Sequence, residues 1–504
     1  GDHAQRSLGR RNAGPIHHEV DAASPAASSP WKRARRGLSS LLASATLTAT
    51  AFAQGILPAT SVQQLTTPDG SRFVLCADAS VPQLHWVVAS WVDGNDDPPG
   101  VLGLARVALE QSMLGTFRTG SRDAEAERQV LAELDAAWQQ LAARPGDAAT
   151  IARIEQLDRR ARELADPDSF HRVLAALPAH GAEVRIDDPI GAFVVTTLPA
   201  AIADVGAMLV ERREQNAVRE LPRAWLADVM RRATMPPDPL APLRTELLTL
   251  TLPLHPLTQQ PDQKAPAAPR RDAALATWAV TQHPTRTVHV LLGDFDAAAA
   301  ANVLRTTVAA TQLPMPAAPP PPRRLLQGQR RSQVPGALVP SLLLAWPVPA
   351  DSDPGTLELA ARWLADGDGS RIATWLQRNQ RPRAKVAVQV PWPPRAEGQP
   401  LVVVEVVEPD GKPGLPEAVL TACREVLTGP PDAGSLQALQ LRQQRQWRDL
   451  AESPRQLAIA IAERSLADPS WSPSVAVRPA DPAAVRTLLQ RLTAGPAALV
   501  EGRP

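Results

Sequence analysis

The sequence predicts an α+β chain in which one kind of α/β unit occurs twice in succession. Two observations carry that expectation. The first is an early strand–strand–helix order: 71–77 (SRFVLCA) after the turn signal Pro68-Asp69-Gly70, then 84–92 (LHWVVASWV) with apolar residues at strand period, a loop DGNDDPPG, and a helical stretch over 103–116. The second is that strands and helices recur beyond a proline-rich segment, whose four consecutive prolines, Pro319 to Pro322, read as a stiff spacer. With 504 residues, 44% hydrophobic and 21% charged, the chain has the length and composition of a multidomain globular protein.

Along the chain, 123–166 reads as a charged helical hairpin. Val130, Leu134, Trp138 and Leu141 form one stripe and Ile151, Ile154, Leu157 and Leu164 another, divided by Arg144-Pro145-Gly146-Asp147. A strand is expected over 191–199, an amphipathic helix over 200–213, another helix near 221–232, and a strand over 289–296 followed by an alanine-rich helix. Past the spacer come a strand region over 338–348, a helix over 353–365, and Gly369-Ser370-Arg371-Ile372 leading into a helix through Leu376. The segments 386–390 and 401–407 form a strand pair, and helices over 435–450 and 481–492 complete the unit. These readings place one domain at 60–312 with the insertion 123–166, a linker at 313–325, and a second domain at 326–504.

Residues 1–30 are polar and lack apolar periodicity, so disorder is expected there. Residues 31–53 read as a bacterial secretory signal: Lys32, Arg33, Arg35 and Arg36, an apolar run over 38–52, and Ala51-Phe52-Ala53 before Gln54. Export to the periplasm or beyond follows, with no membrane span left once the signal is removed. Cys76 and Cys423 fall in different units without a C-x-x-C spacing and are expected to be unpaired core thiols. A formal net charge of +1 provides no field to recruit nucleic acid. The sequence has no G-x-S-x-G elbow and no G-x-x-x-x-G-K phosphate loop, and Gly367-Asp368-Gly369 is a turn.

Chemistry is suggested most strongly by 103–116, GLARVALEQSMLGT. Residues four apart share a helix face, so a pair of histidines at that spacing can grip a zinc ion while a glutamate beside the second deprotonates the bound water. Gly103, Leu104, Ala105, Glu110, Gly115 and Thr116 resemble the frame of that helix in the insulinase/pitrilysin zinc metallopeptidases, G-L-A-H-x-x-E-H followed by a hydrophobic turn and G-T. With Glu110 in register, the ligand positions hold Val107 and Gln111; a one-residue slip puts Arg106 at the first. No histidine lies between His85 and His171. The family's third ligand is a glutamate in E-x-x-x-V-x-x-E. Aligning Arg219-Glu220-Leu221 with the preceding R-E-aromatic run places Ala224 and Arg231 at its two acids, with Asp228 three positions away. In the second half, Gly367, Ser370, Arg371 and Ile372 approximate the family's G-x-S-R-L. The arginine and tyrosine that hold substrate there correspond to Gln377 (Arg378 if slipped) and to Ala384 or Lys385, and the chain contains no tyrosine.

The resemblance implies two homologous domains, each an antiparallel sheet covered by helices, in a half-clam. It places the chain among degenerate bacterial members similar to the peptidase inactive-domain proteins. Glu110 is then a relic general base, and neither zinc nor another cofactor is expected. By the same resemblance, the partners are an active family member in a hetero-oligomer and extended peptides. Two other readings stay open: a solitary peptide-binding scaffold, and a zinc endopeptidase with a displaced metal site. His171 and His180 are too far apart for adjacent turns of one helix, which weighs against the second. The mature N-terminus is expected at or close to Gln54. N-terminal sequencing of the native protein checks this, and finding residues 1–53 still attached would overturn the signal and the export that follows from it.

Overall fold

A computed structural model describes residues 56–58, 61–236, 238–253, 255–259, 269–308, 328–367, 369–395, 400–426, 431–474 and 481–503. The expected disordered segment 1–30, the signal 31–53 and the linker 313–325 lie outside them. The first sheet contains β1 (Val62–Thr66), β2 (Arg72–Ala77), β3 (Leu84–Trp91), β4 (Ala179–Asp187), β5 (Ile190–Thr197) and β6 (Thr287–Gly293), in the order β1-β2-β6-β3-β5-β4. The second contains β7 (Arg330–Pro335), β8 (Ser341–Pro347), β9 (Lys385–Trp392), β10 (Leu401–Val407) and β11 (Ala498–Arg503), in the order β7-β11-β8-β10-β9. All pairs are antiparallel except β2 with β6 and β7 with β11. Without β1, the two sheets share one pattern: the first, last, second, fourth and third strand of the unit lie side by side, with first and last parallel. The recurrence read from the sequence is a repeated topology.

The helices of the first half are α1 (Leu104–Gln111), α2 (Ala124–Ala143), α3 (Ala148–Leu164), α4 (Pro167–Ala176), α5 (Ile202–Glu214), α6 (Leu221–Thr234), α7 (Ala241–Thr251), α8 (Arg271–Thr281) and α9 (Ala297–Thr307). Those of the second are α10 (Pro354–Ala365), α11 (Arg371–Arg378), α12 (Leu415–Val426), α13 (Ala433–Ala451), α14 (Pro454–Ala467) and α15 (Pro482–Ala494). One face of the first sheet, with Phe73, Trp86 and Phe193, packs on α5 and α9. Its other face, with Val87, Val194 and Val290, packs on Leu457, Ile461 and Leu466 of α14. The second sheet buries Leu342, Leu344 and Val404 under α10 to α13 and α15, and Leu343, Val403 and Val500 under Leu243, Leu247 and Leu248 of α7.

The two halves therefore exchange helices. The α7 helix lies inside 60–312 yet closes the second sheet, and α14 lies inside 326–504 yet closes the first. Burial on both faces is why β3 is buried at every position and β10 at nearly every one. The hairpin is present as α2 and α3 around Leu131, Leu134, Ala137, Ile154 and Ala161. Ile151 departs from its expected stripe, at 40% exposed, while Thr150 beside it is buried with Ile154, Ala161 and Leu164. Cys76 and Cys423 are free and buried, and burial pushes both thiols up to about 12.

The exchange makes α7 a structural part of the second sheet. Leu247 is fully buried there, so Leu247→Ala should cost about 2–5 kcal/mol of stability. Urea titration checks this, with a lowered midpoint and an unchanged slope expected.

Candidate functional site

The site grows from the two ends of α1. At its start, Asp97 accepts from the backbone N–H groups of Gly103 (2.6 Å) and Ala105 (2.7 Å), supplying the negative charge a helix N-terminus favours. Burial holds the Asp97 carboxyl up at about 6 against the pull of those hydrogen bonds. Gly103 has φ 97°, and a Cβ there would meet Asp228 Oδ2 at 2.8 Å, so glycine serves both the backbone turn and the close approach of α6. At the other end, Gln111 Oε1 accepts from the N–H of Glu220, the residue before α6, at 2.8 Å. The two helices thus run antiparallel, with Gln111 against the start of α6 and Gly103 against its later turns.

Between these contacts the faces of α1 differ. Val107 is wholly buried with Leu104 against Leu221, Trp225 and Ala274. Arg106 pairs with Asp188 in the β4–β5 turn and approaches Asp228, which is itself 1% exposed and pairs with Arg231 and, at 2.9 Å, Arg232. Glu110 is exposed at the edge of this network. Surrounding protein mass raises its carboxyl above the usual range; Arg231 pulls it down, Asp228 pushes it up and Arg106 pulls it down. The structure therefore groups Glu110, Arg106, Arg231 and Asp228, and it sets Val107 and Gln111 apart on packing and capping duties.

No protein-family model matches the sequence, and no curated protein matches it. Among solved structures, the chain is similar to a protease from Helicobacter pylori at 13% identity and TM-score 0.61, covering 89% of this chain and 100% of that one. It is also similar to a peptidase M16 inactive domain from Pseudomonas fluorescens at 15% identity and TM-score 0.58, covering 88% of this chain and 98% of that one. The chain has the M16 peptidase fold. It matches the periplasmic protease PqqL from Escherichia coli at 13% identity and TM-score 0.57, with 89% of this chain covered but only 46% of PqqL, so it spans just under half of that protein.

The residues that the sequence resemblance aligns with zinc ligands do not suit a zinc ion. Val107 carries no lone pair, the Gln111 oxygen is engaged at Glu220, and Arg231 brings a positive charge already neutralised by Asp228. Among the described residues, no group of three or more His, Cys, Asp or Glu side chains is placed to hold an ion. His85 hydrogen-bonds Thr196, and His289 accepts from Trp86 Nε1 at 3.2 Å while burial drives its ring down to about 3. Both are core histidines, on β3 and β6.

The two residues that the resemblance aligns with the substrate clamp differ in burial. Gln377 is exposed on α11, whereas Ala384 is 3% exposed within the second core. The motif around them is used for structure: Gly367 has φ 69°, Ser370 Oγ caps α11 by accepting from Ala373 N, Ile372 is buried, and Arg371 lies over the Trp363 ring at 5.2 Å.

Sequence reasoning missed the arginines that hold this region. Arg219, used above only as an alignment anchor, is buried. It donates to Glu127 on α2 at 2.6 and 3.2 Å and to the carbonyls of Leu114, Gly115 and Thr116 at 2.7, 2.9 and 2.7 Å. Arg271 ties Asp135 on the same helix to the carbonyls of Ala217 and Val218. Val218 itself sits at φ 45°, a conformation β-branched residues rarely adopt, and its strain is borne inside this grip. Arg212 has no carboxylate partner among the described residues. It lies 3.9 Å over Phe193 and 4.9 Å from Trp278, donates to Ser112 Oγ just past α1, and burial lowers it to about 9, still cationic at neutral pH. In a chain with 53 basic residues, nothing in the local sequence marks these three.

Removing Arg219 would strand the Glu127 carboxylate, which is fully buried. Arg219→Ala should therefore cost about 3–5 kcal/mol, well beyond a surface arginine substitution. Arg118→Ala, at an 82% exposed side chain, is the matched control; equal losses in chemical denaturation would refute this role for Arg219.

Proposed function

We propose that this chain is a zinc-free M16-type protein that contributes chamber wall and peptide contacts to an active zinc peptidase, without cleaving peptides itself. The observation that carries the reading is the use to which the three ligand positions are put. Val107 fills the α1–α6 core, Gln111 caps α6, and Arg231 pairs with Asp228. In this reading the guanidinium groups of Arg106, Arg231 and Arg232 engage Asp228, the nearest carboxylate, so it is not free to take a metal. Glu110 has no metal-bound water to deprotonate.

Peptide contact is supported by the position of β4, an outer strand of the first sheet whose Val184 and Ile186 pack beside α1. An extended peptide can add to such an edge through main-chain hydrogen bonds. Export is supported by the signal-like segment 31–53. PqqL is a periplasmic protease, and no helix among the described residues is long and apolar enough to cross a membrane.

The test has two arms. Metal analysis of the purified chain is expected to find no stoichiometric zinc, and a peptidase assay no cleavage of unfolded peptide; about one zinc per chain with activity lost in Glu110→Gln would reverse the reading. Co-expression with a ligand-complete relative from the same genome is expected to yield a complex with altered peptidase activity. Failure to associate, with the relative's activity unchanged, would leave the solitary binding protein in its place.

A further inference from the structure

The repeated topology exposes a difference between the halves. In the first sheet, the outer side of β2 is covered by β1, which pairs with it from Val62 opposite Cys76 to Thr66 opposite Arg72. The equivalent strand in the second sheet is β7, and among the described residues only β11 pairs with it. The sequence just before β7 includes Pro319 to Pro322, which lack the N–H groups a covering strand would need.

The orientation of that edge is readable. Arg330 N–H donates inward to Ala497 O on the β11 side at 2.9 Å. Backbone groups alternate along a strand, so the N–H and C=O of Arg331 and Gln333 point outward, and Pro335, at the next outward position, ends the row. Ser332 and Val334 are half-buried toward α7, where Ser332 Oγ donates to Glu246 at 2.6 Å. Arg330, Arg331 and Gln333 are exposed, and neither arginine enters an ion pair among the described residues. Glu501, alongside on β11, is held by Arg503 at 3.1 Å and by the Gln333 amide at 3.2 Å. Among the described residues, the edge thus offers main-chain groups without a partner strand beside two adjacent positive charges.

We propose that β7 is a second peptide-docking edge, distinct from β4, and that it takes an extended segment with two adjacent acidic residues. Added antiparallel, such a segment hydrogen-bonds Arg331 and Gln333 and sets its acids directly across from Arg331 and Arg330, about 5 Å away between Cβ atoms. The charge pairing selects the segment and the main-chain ladder holds it.

Isothermal titration of the full chain with the acetylated, amidated hexapeptide Thr-Val-Thr-Val-Glu-Glu tests this, against the same peptide ending Lys-Lys. The acidic peptide should bind at least about tenfold more tightly. Gln333→Pro removes one outward N–H while leaving the β11 ladder intact, and Arg330→Glu with Arg331→Glu reverses the charge; each should weaken binding at least about tenfold, with far-ultraviolet circular dichroism unchanged. Two variants keep the test sound if one fails to fold. Absent binding, equal binding of both peptides, or binding that neither variant disturbs would each overturn the proposal. Self-association of the chain that Gln333→Pro abolishes, without peptide binding, would assign the edge to a second copy and overturn it equally.

Discussion

The guanidinium of Arg219 joins three parts of the chain that no regular hydrogen-bond ladder connects. Its donors take the carbonyls of Leu114, Gly115 and Thr116 beyond α1, and both oxygens of Glu127 on α2. Because Arg219 stands two residues before α6, the same contact fixes where α6 begins against α1. A buried charge pair stabilises only when every donor and acceptor is satisfied, and this one is. The α1–α6 face, the hairpin and the strained Val218 all lean on that geometry. The hairpin is accordingly docked along its first helix rather than standing clear in solvent.

Around this node, charge and packing divide the two faces of α1. On one side Val107 is ordinary core. On the other, Arg106, Arg231 and Arg232 surround the buried Asp228. Arg231 donates to Asp228 Oδ1, while Arg106 and Arg232 contribute charge. The helix pair is held by residues of the chain itself, consistent with the proposal that shape has been kept while the chemistry has gone.

The helix exchange sets the scale of cooperativity. Each sheet needs a cover on both faces, and each borrows one cover from the other half: α7 for the second sheet, α14 for the first. Neither half has a complete core alone, so the boundary drawn at 313–325 separates stretches of sequence rather than units of packing. Arg395, beyond β9, reaches Asp96 in the loop before α1 at 2.5 Å and adds a charged contact between the halves.

Sequence alone determined what depends on local pattern. Strands such as β3 and β10 and helices such as α10, α13 and α15 were legible because their apolar residues recur at the period of the element, and that Val107 and Arg231 carry no metal-donor atom was legible because a side chain's chemistry does not depend on its neighbours. The polar edge strands β1, β4 and β7 were not, since strands exposed on a face or an edge carry little of that period. Nor were the helices α7 and α14 read from the sequence, and an apolar stripe would state only that a helix is covered, not by what. Tertiary structure alone decided that Gln111 caps α6, that Gln377 is exposed while Ala384 is buried, and that Arg212, Arg219 and Arg271 are interior residues among many on the surface. Those outcomes rest on contacts between separate elements of the chain, where hydrogen-bond partners and burial are set by the packing of whole elements.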